Sequence, residues 1–490
     1  RLAPRGGHGL TSCVPERVSR PSVRPPRAAT GGGLARLLAT AAAGRYCHLR
    51  RILFAVLALM AVPCAVRAAA PDNNVEWNGV GHVAWQDRRP LCPIGGEAFE
   101  ARFQTYRNDI TSARVHVNDG ADSWVNAAKL GTRGPYDIWA ALVPATAAST
   151  ESYWIELTDG SDTDYYSVNG VSDGVPVDGG FVLDFTTLAH APVGATLTSS
   201  GGAVFRVWAP TRVSTYVAGE FNGWNFGANP LTKVGEHFIG LVPNVSRRQM
   251  YKYRFNNSVY NTDARARSLN PSDNLNAYVE DPFYYAWQLP DFATPPFDQM
   301  VIYQLHIGTF AGRNDPLGAT PFPSRYVDVA ARAGQLEQLG VNTVMFNPFT
   351  EFPGDFSAGY DPQTMWAPEW KYGTPDDCKA MVDSLHRHGI SVLLDIVWNH
   401  VSSGSNFMWY YDGSQTYFDD PAVDTPWGAQ ADFDKAAVRD YYVESALYWL
   451  EEFHLDGFRM DGTDFMNMGQ PASGWALMQR LNDEVDRRWA

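Results

Sequence analysis

Short apolar runs that alternate with polar residues dominate the chain from residue 71 to residue 190. The alternation has a period of two, which is the period of a half-buried β-strand, and Asp-Gly turns separate several of the runs. Strands are predicted at residues 97–106, 112–117, 136–143, 152–157 and 165–168. Short strands separated by turn residues predict a β-sandwich over residues 71–190.

Residues 191–290 form a second stretch with strand character. Apolar runs lie at residues 204–210 and 251–255, and the segment 219–224 between them ends in Asn222-Gly223-Trp224. This pattern predicts a second all-β domain over residues 191–290.

The pattern changes after a proline-rich linker at residues 291–298, because helical spacing now alternates with apolar runs. Strands are predicted at residues 300–307, 341–346, 390–399 and 455–461, and helices at residues 327–339, 376–388, 445–454 and 475–489. Alternating helices and strands predict a parallel sheet built from βα units. A long loop at residues 401–434 follows the third strand and contains several aromatic residues, among them Tyr410 and Trp427.

The first 70 residues divide into two predicted segments. Residues 1–46 are rich in Pro, Gly, Arg and Ala, so they are either a disordered arm or sequence translated upstream of the true start, and the second interpretation is preferred. In residues 47–70, Arg50-Arg51 precedes an apolar run that ends in small residues, which predicts a secretory signal peptide. A membrane anchor is less favoured because the run is short and contains Pro63. The mature protein is expected to be secreted or periplasmic, without stable membrane insertion.

The charge is unevenly distributed along the chain. Residues 1–70 carry a net charge of +10 and the other 420 residues carry −24, which gives −14 for the whole chain. An acidic mature protein argues against nucleic acid as a partner and against an anionic membrane surface. This charge suits a neutral polymer such as a glucan.

A pair of charged residues marks the end of the fourth predicted strand. Side chains alternate faces along a strand, so Arg459 and Asp461 point the same way while Phe458 and Met460 point the other. A neighbouring guanidinium favours the ionised form of a carboxylate, which a nucleophile requires. An isolated Arg-x-Asp is most often a surface ion pair. The helix and tight turn before it, and a second polar strand end that begins at Asp395, favour a functional site instead.

Three segments resemble the signature regions of one enzyme family. Residues 395–400 read Asp-Ile-Val-Trp-Asn-His, residues 456–461 read Asp-Gly-Phe-Arg-Met-Asp, and residues 359–362 and 372–377 read Gly-Tyr-Asp-Pro and Tyr-Gly-Thr-Pro-Asp-Asp. In this order they resemble the α-amylase superfamily, glycoside hydrolase family 13, over residues 301–490. The resemblance implies that residues 291–490 are the first half of a (β/α)8 TIM barrel, in which the loop at residues 401–434 lines the active face.

The two β-sandwiches resemble modules that precede such barrels. Residues 99–105 and 153–157 are similar to the N-terminal starch-binding module of neopullulanases and maltogenic amylases. Residues 204–210 and 219–224 are similar to the early-set, immunoglobulin-like sandwich of branching and debranching enzymes. Trp224 is a candidate for stacking on a glucose face, and an interdomain or core position is an equal alternative.

The family resemblance also implies roles for individual residues. Asp461 takes the place of the nucleophile of a retaining double displacement, and Arg459 orients it and keeps it ionised. His400 matches the histidine that hydrogen-bonds the sugar before the scissile bond, and Tyr360 matches the aromatic residue under that sugar. Asp395 is expected to hold Arg459 and the strand ends together.

One further position bears on cofactors. Asn399 matches a residue that ligates calcium in many amylases but is only structural in relatives with a short third loop. Calcium therefore stays an open alternative, and no other cofactor is expected.

The family mechanism needs two further carboxyl groups, a general acid and an aspartate that stabilises the transition state. In the family these belong to the fifth and seventh barrel strands, and the sequence supplies four. The chain is therefore expected to be a C-terminally truncated fragment of a longer protein, and to be inactive by itself.

Three functions stay open at this point. The preferred one is a secreted glycoside hydrolase of α-glucans such as starch or glycogen, because a signal peptide is predicted. Residues 426–428 and 446–454 resemble branching enzymes and trehalose-releasing hydrolases, which makes a 1,4-α-glucan branching enzyme, a transglycosylase, the alternative. The third function is a non-catalytic glucan-binding protein. An α-glucan is the expected partner in each case.

Overall fold

The computed structural model describes residues 71–489, apart from residue 178 and residues 313–322, 420–422 and 468–470. The predicted leader at residues 1–46 and the predicted signal peptide at residues 47–70 lie outside the described residues. The described residues form one compact unit. Within the described part of the chain, every helix is too short or too polar to cross a lipid bilayer.

Residues 88–184 contain ten strands in two antiparallel sheets. The strands are β1 (Arg88–Arg89), β2 (Phe99–Tyr106), β3 (Ser112–Asn118), β4 (Asp122–Asn126), β5 (Ala128–Arg133), β6 (Tyr136–Val143), β7 (Thr150–Asp159), β8 (Asp162–Ser167), β9 (Gly170–Ser172) and β10 (Phe181–Asp184). The first sheet has the order β1-β2-β6-β5 and the second has the order β4-β3-β7-β8-β9, with β10 paired to β7. Residues from both sheets, including Phe103, Val115 and Ile155, are buried in one core.

The five strands predicted in this region are confirmed as β2, β3, β6, β7 and β8. The sequence pattern does not predict β4 and β5, because nearly all of their residues are exposed and their side chains do not alternate between apolar and polar. Each of them is an edge strand of its sheet. The all-β character of residues 71–190 is thus confirmed, whereas an immunoglobulin-like topology stays a prediction.

The buried histidine of this region makes folding sensitive to acid. His82 is 2 % exposed, and its ring nitrogens lie 2.6 Å from the carbonyl oxygen of Arg102 and 2.9 Å from the hydroxyl of Tyr153. Burial lowers the pKa of His82 from 6.5 to about 3. The unfolded chain takes up this proton below pH 6.5 and the folded chain does not, so stability falls as the pH falls through that value. Between pH 7 and pH 5 this histidine should cost about 2 kcal/mol of unfolding free energy.

Denaturant unfolding at pH 7 and pH 5 measures this effect. We expect His82→Gln to reduce the difference between the two pH values by about 2 kcal/mol. His388→Gln is the control, because the side chain of His388 is 38 % exposed. The same pH dependence in His82→Gln and in the unaltered protein would contradict this origin.

Residues 194–278 contain nine further strands in one connected antiparallel sheet. They are β11 (Gly194–Thr198), β12 (Gly202–Trp208), β13 (Thr215–Gly219), β14 (Pro230–Val234), β15 (His237–Pro243), β16 (Met250–Phe255), β17 (Val259–Asn261), β18 (Leu269–Asn270) and β19 (Asn276–Tyr278). The sheet order is β11-β12-β15-β14-β13-β16-β19-β18, and β17 pairs with β16. Phe205, Val217, Phe238 and Tyr253 are buried in its core. The all-β prediction for this region is confirmed, and the early-set topology stays a prediction.

The last part of the described chain is a four-stranded parallel sheet with helices between its strands. The strands are β20 (Ile302–Leu305), β21 (Thr343–Phe346), β22 (Ser391–Val397) and β23 (Gly457–Asp461), and they lie side by side in this order. The described α-helices are α1 (Ile307–Phe310), α2 (Tyr326–Ala330), α3 (Ala333–Gln338), α4 (Pro375–Arg387), α5 (Ala436–Glu452) and α6 (Pro471–Trp489). Turns of 3-10 helix lie at Trp77–Gly79, Glu220–Asn222, Pro271–Asp273, Phe297–Gln299, Trp370–Tyr372 and Thr463–Asn467. The four predicted strands are confirmed, while the barrel they would belong to stays a prediction.

Two of the predicted helices differ from the structure. The helix predicted at residues 327–339 is broken into α2 and α3, because Arg332 leaves the helical conformation with φ −112° and ψ 6°. The helix predicted at residues 445–454 begins earlier, at Ala436. The sequence pattern does not predict its first turns. Val438, Tyr441 and Tyr442 are buried on different sides of the helix, so the helix has no single apolar stripe.

Local sequence explains where α4 begins, and α4 leads directly into β22. The side chain of Thr374 accepts a hydrogen bond from the backbone N–H of Asp377, and the carboxylate of Asp377 accepts one from the backbone N–H of Thr374. Pro375 occupies the first helical position, where its missing N–H costs nothing. This start fixes the direction of the helix that returns the chain to the sheet.

Candidate active site

The register of β22 and β23 brings three charged side chains together. The two strands pair in parallel so that Asp395 lies beside Arg459 and Val397 lies beside Asp461. Arg459 Nη1 donates to both carboxylate oxygens of Asp395, at 2.9 and 2.8 Å, and to Asp461 Oδ1 at 2.6 Å. One guanidinium therefore holds the two carboxylates, and thus the two strand ends, in fixed positions.

The two carboxylates differ in burial. Asp395 is fully buried, and burial raises its pKa, although the hydrogen bonds from Tyr360 and Arg459 act in the opposite direction. Hydrogen bonding to Asp395 raises the pKa of Arg459, so the guanidinium stays charged. The side chain of Asp461 is 24 % exposed, and none of the described residues donates a hydrogen bond to its Oδ2. Asp461 is thus the carboxylate with an oxygen free for chemistry, while Asp395 has a supporting position.

Tyr360 is fixed from two sides. Its hydroxyl donates to Asp395 Oδ2 at 2.7 Å, and burial together with this bond raises the pKa of Tyr360. The residue before it, Gly359, has φ +93°, and a Cβ atom there would lie 1.9 Å from the carbonyl oxygen of Pro348. Only glycine allows this close approach, which places the partly exposed ring of Tyr360 beside the charged cluster.

His400 is more deeply buried than a residue that hydrogen-bonds a sugar needs to be. It is 2 % exposed, its Nε2 lies 3.0 Å from the carbonyl oxygen of Tyr360, and its Nδ1 lies 2.5 Å from Asn399 Oδ1. Burial lowers the pKa of His400. Both ring nitrogens are thus occupied within the protein, so a hydrogen bond to a sugar requires exchange of the Tyr360 contact. The sugar-binding role of His400 stays a prediction.

Asn399 does not offer the oxygen that calcium would need. Its side chain is fully buried, its Nδ2 donates to the carbonyl oxygen of Asp461 at 2.8 Å, and its Oδ1 faces His400 Nδ1. Calcium binds through several oxygen ligands, and the described residues contain no group of three or more His, Cys, Asp or Glu side chains placed to hold a metal ion. These residues do not fit calcium. Asn399 fits the structural alternative, because it holds the backbone of Asp461.

Trp224 lies apart from these residues, in the second β region. It follows the 3-10 turn Glu220–Asn222 with φ +61°, its backbone N–H donates to the carbonyl oxygen of Gly219 at 2.9 Å, and its side chain is half-buried. Its role in glucan binding stays a prediction.

Two aromatic residues, Trp427 and Phe465, lie beside His400 or each other; the sequence predicts Trp427 in a loop of the active face but gives neither residue a role of its own. The ring of Trp427 lies 5.7 Å from the ring of His400 and 4.6 Å from the ring of Phe465, and Trp427 is 47 % exposed. A Cβ atom at Gly428 would lie 2.1 Å from the carbonyl oxygen of Val401, so glycine lets the loop fold back at this point. The signal available in the sequence was the Trp-Gly pair inside the loop that follows the third strand.

Two family models match the chain. The α-amylase catalytic domain matches residues 329–427, and carbohydrate-binding module 48, the isoamylase N-terminal domain, matches residues 192–268. The first match contains Tyr360, Asp395 and His400, and the second contains Trp224.

Curated relatives and a solved structure also resemble the chain. A 1,4-alpha-glucan branching enzyme of Corynebacterium jeikeium is 32 % identical in an alignment of 283 residues that covers 54 % of this chain and 38 % of that enzyme. The branching enzyme of Picrophilus torridus is 28 % identical in an alignment of 323 residues that covers 60 % of this chain and 44 % of that enzyme. The crystal structure of a candidate α-amylase from Salmonella typhimurium, 30 % identical, has a TM-score of 0.52 and covers 60 % of this chain and 48 % of its own.

These matches confirm the resemblance inferred from the signature segments. The chain therefore resembles the α-amylase superfamily, glycoside hydrolase family 13, and residues 329–427 match its catalytic domain. Its core is similar to that of branching enzymes, and a carbohydrate-binding module 48 precedes it. The chain spans less than half of the length of the curated branching enzymes quoted above.

Proposed function

We propose that the complete protein is a retaining 1,4-α-glucan branching enzyme, a transglycosylase that moves a segment of α-glucan. The observation that carries this proposal is Asp461, a partly exposed carboxylate at a strand end that Arg459 holds in place. The secreted hydrolase was preferred from the sequence. Relatives named as branching enzymes favour the transfer alternative over it.

The proposed reaction has two displacements at one sugar carbon. Asp461 Oδ2 attacks the anomeric carbon, the α-1,4 bond breaks, and a glycosyl ester of Asp461 forms while a carboxylic acid about 5 Å away protonates the leaving oxygen. In the second step the 6-hydroxyl of a glucan chain attacks the same carbon and gives its proton to that carboxylate. The ester bond breaks, an α-1,6 bond forms, and Asp461 is free again.

The cluster around Asp461 supports this chemistry physically. Arg459 donates to Asp461 Oδ1 at 2.6 Å and so fixes the side-chain rotamer of Asp461. The attacking oxygen, Oδ2, is therefore already oriented before the sugar binds. Asn399 fixes the backbone of the same residue, and Asp395 fixes Arg459. Reactions that depend on such positioning lose rate steeply when a supporting group is moved.

An iodine assay on amylose tests the proposal with the complete protein. Branching lowers the absorbance of the amylose–iodine complex without producing new reducing ends, and added α-1,6 bonds become measurable after debranching. An increase in reducing ends that parallels the loss of absorbance would contradict transfer and favour hydrolysis.

The secreted hydrolase stays the second candidate because of one feature, the predicted signal peptide at residues 47–70. Water and a sugar hydroxyl can resolve the same covalent intermediate, so the two functions share Asp461. If the complete protein bound glucan without turning it over, both catalytic functions would be excluded and the non-catalytic glucan-binding function would remain.

Trp427 provides a prediction about substrate affinity. Its exposed ring beside His400 offers a flat apolar face to a sugar bound near Asp461. Trp427→Ala is expected to raise KM for amylose about tenfold, which corresponds to about 1.4 kcal/mol, with a smaller effect on kcat. Tyr410→Ala is the matched control, since Tyr410 is 59 % exposed on the same loop. An unchanged KM in Trp427→Ala would exclude this contact.

A further inference from the structure

A small cavity lies where the second β region meets α5. It has a volume of about 190 Å³, and β12, the start of β15 and the first turns of α5 contribute to its walls. We call it the junction cavity, and its lining includes Trp85, Arg206, His237, Tyr417 and Glu444. Pockets for drug-sized ligands have volumes of about 300–1,000 Å³, so the junction cavity suits only a small ligand.

The strand register explains why polar side chains meet in this cavity. Arg206 and Trp208 are two positions apart on β12, so their side chains lie on the same face of the strand. His237 is the cross-strand partner of Trp208 in the β12–β15 pair, which places its side chain on that face too. On α5, Asp440 and Glu444 are four positions apart and share one face of the helix. The cavity lies between these two faces.

Three guanidinium groups line the junction cavity, and two of them have carboxylate partners. Arg265 forms an ion pair with Glu444, and Arg267 forms one with Glu452 at 2.9 Å. Arg206 is the third, and none of the described carboxylates forms an ion pair with it. The positive charge of Arg206 is therefore left without a matching negative charge.

Arg206 also has a free donor. Its Nη1 donates to the backbone carbonyl oxygens of Ala189 and Ala191, each at 2.7 Å. None of the described residues accepts a hydrogen bond from its Nη2, and that atom, unlike the buried Nε, stays accessible to solvent. The Nη1 bonds fix the guanidinium in the wall of the cavity, while Nη2 can donate to a ligand.

Two further donors line the junction cavity without an acceptor. The indole Nε1 of Trp85 and the hydroxyl of Tyr417 make no hydrogen bond to any described residue, and both atoms stay accessible to solvent. Burial raises the pKa of Tyr417, so its hydroxyl keeps its proton. Asp440 is the acidic residue of the lining that could oppose an anion, but it already pairs with Arg480 at 2.7 Å. Donors therefore outnumber free acceptors in this cavity.

Two titratable groups of the lining show that positive charge accumulates here. Burial lowers the pKa of Arg206, and the nearby guanidinium of Arg265 lowers it further. Burial also lowers the pKa of His237 from 6.5 to about 4, and the charges of Arg206 and Arg265 add to this effect. Each shift means that a further cation is unfavourable at this place. An anion would have the opposite effect and relieve the repulsion.

We propose that the junction cavity binds a phosphate group, either as inorganic phosphate or as part of a small phosphate ester, with Arg206 as its charged contact. A guanidinium matches the geometry of phosphate oxygens, and a tetrahedral phosphate can accept from Arg206, Trp85 and Tyr417 at once. A carboxylate has only two oxygens for these three donors. The bound phosphate would connect β12 to α5 and would stabilise the folded chain by mass action.

A pair of matched variants tests the site. Arg254 is half-buried in the same β region and also donates to a backbone carbonyl oxygen, that of Phe226 at 2.9 Å, but it does not line the cavity. Isothermal titration of the 490-residue chain with inorganic phosphate, at an ionic strength held constant with sodium chloride, measures the affinity. Arg206→Gln is expected to bind phosphate at least about tenfold more weakly, and Arg254→Gln is expected to bind it like the unaltered chain.

Two further variants keep the test independent of folding. Tyr417→Phe removes only a hydroxyl that no described residue uses, and it should weaken phosphate binding about threefold. Asp440→Asn removes a negative charge from the lining and should strengthen phosphate binding about threefold, a gain that misfolding cannot produce. The melting temperature of each variant without phosphate shows whether the chain still folds.

A second ligand distinguishes the two sources of the phosphate group. Tighter binding of glucose 6-phosphate than of inorganic phosphate would identify an ester as the ligand, and weaker binding would identify the free ion. The proposal would be overturned if the unaltered chain did not bind phosphate saturably, if Arg206→Gln and Arg254→Gln bound it equally, or if Asp440→Asn bound it no more tightly. Asp461 does not line the cavity, so Asp461→Asn should bind phosphate unchanged, whatever its effect on glucans.

Discussion

Replacement of Asp461 by Asn in the complete protein is expected to lower kcat by at least about a thousandfold, because the amide cannot form the glycosyl ester. The change keeps the size of the side chain, and the amide oxygen can still accept the hydrogen bond that Arg459 donates to Oδ1. Affinity for amylose should therefore change little. Initial rates of the iodine assay, together with binding measured by titration, check both parts of this expectation.

Asp464→Asn is the control for the loss of a carboxylate. Asp464 lies three positions further along the chain and is exposed, so its replacement should leave kcat within about twofold. If Asp461→Asn retained most of the activity, covalent catalysis by this residue would be excluded. Trapping of a glycosyl-enzyme ester on the unaltered protein, and its absence from the variant, would add direct support.

Arg459→Lys is expected to have the second largest effect. Arg459 Nη1 alone donates to Asp395 and to Asp461, and a lysine Nζ lies closer to the backbone on a flexible stem, so it does not hold both carboxylates at once. Asp461 would then be free to turn away from the sugar. We expect kcat to fall about a hundredfold, which is the size of effect that misplacement by about 1 Å produces.

The division between kcat and KM distinguishes positioning from general damage. A positioning role predicts a lower kcat with KM within about threefold, since the sugar-binding surface is unchanged. Arg480→Lys serves as the comparison, because Arg480 forms an exposed ion pair with Asp440 at 2.7 Å, and such pairs contribute little. A loss of the same size in both variants would argue against the proposed role of Arg459.

The local part of the candidate site follows from sequence alone. Alternation along a strand places Arg459 and Asp461 on one face, and the structure has them joined at 2.6 Å. The signature segments also predict which strand ends carry polar residues. Predictions of this kind succeed because the side-chain period of a strand depends only on the backbone of that strand.

Contacts between distant segments needed the tertiary structure. The bond between Asp395 and Arg459 spans 64 positions and depends on the register of β22 against β23. His400 illustrates the limit, because its sequence motif suggests an open sugar contact, whereas the fold gives both ring nitrogens partners in the protein. The spacing of apolar and polar residues along the chain does not show which polar side chains will form hydrogen bonds with each other in the fold.

The sequence by itself determined the strands and helices with regular periodicity, the resemblance to the α-amylase superfamily, and the choice of Asp461 as the candidate nucleophile. Only the tertiary structure decided that Trp427 stands beside His400 and that Asn399 supports a backbone carbonyl. The physical reason is the range of the interactions. Periodicity and capping are set by neighbours within a few residues, whereas burial and hydrogen-bond partners are set by whichever distant segments the packed fold brings into contact.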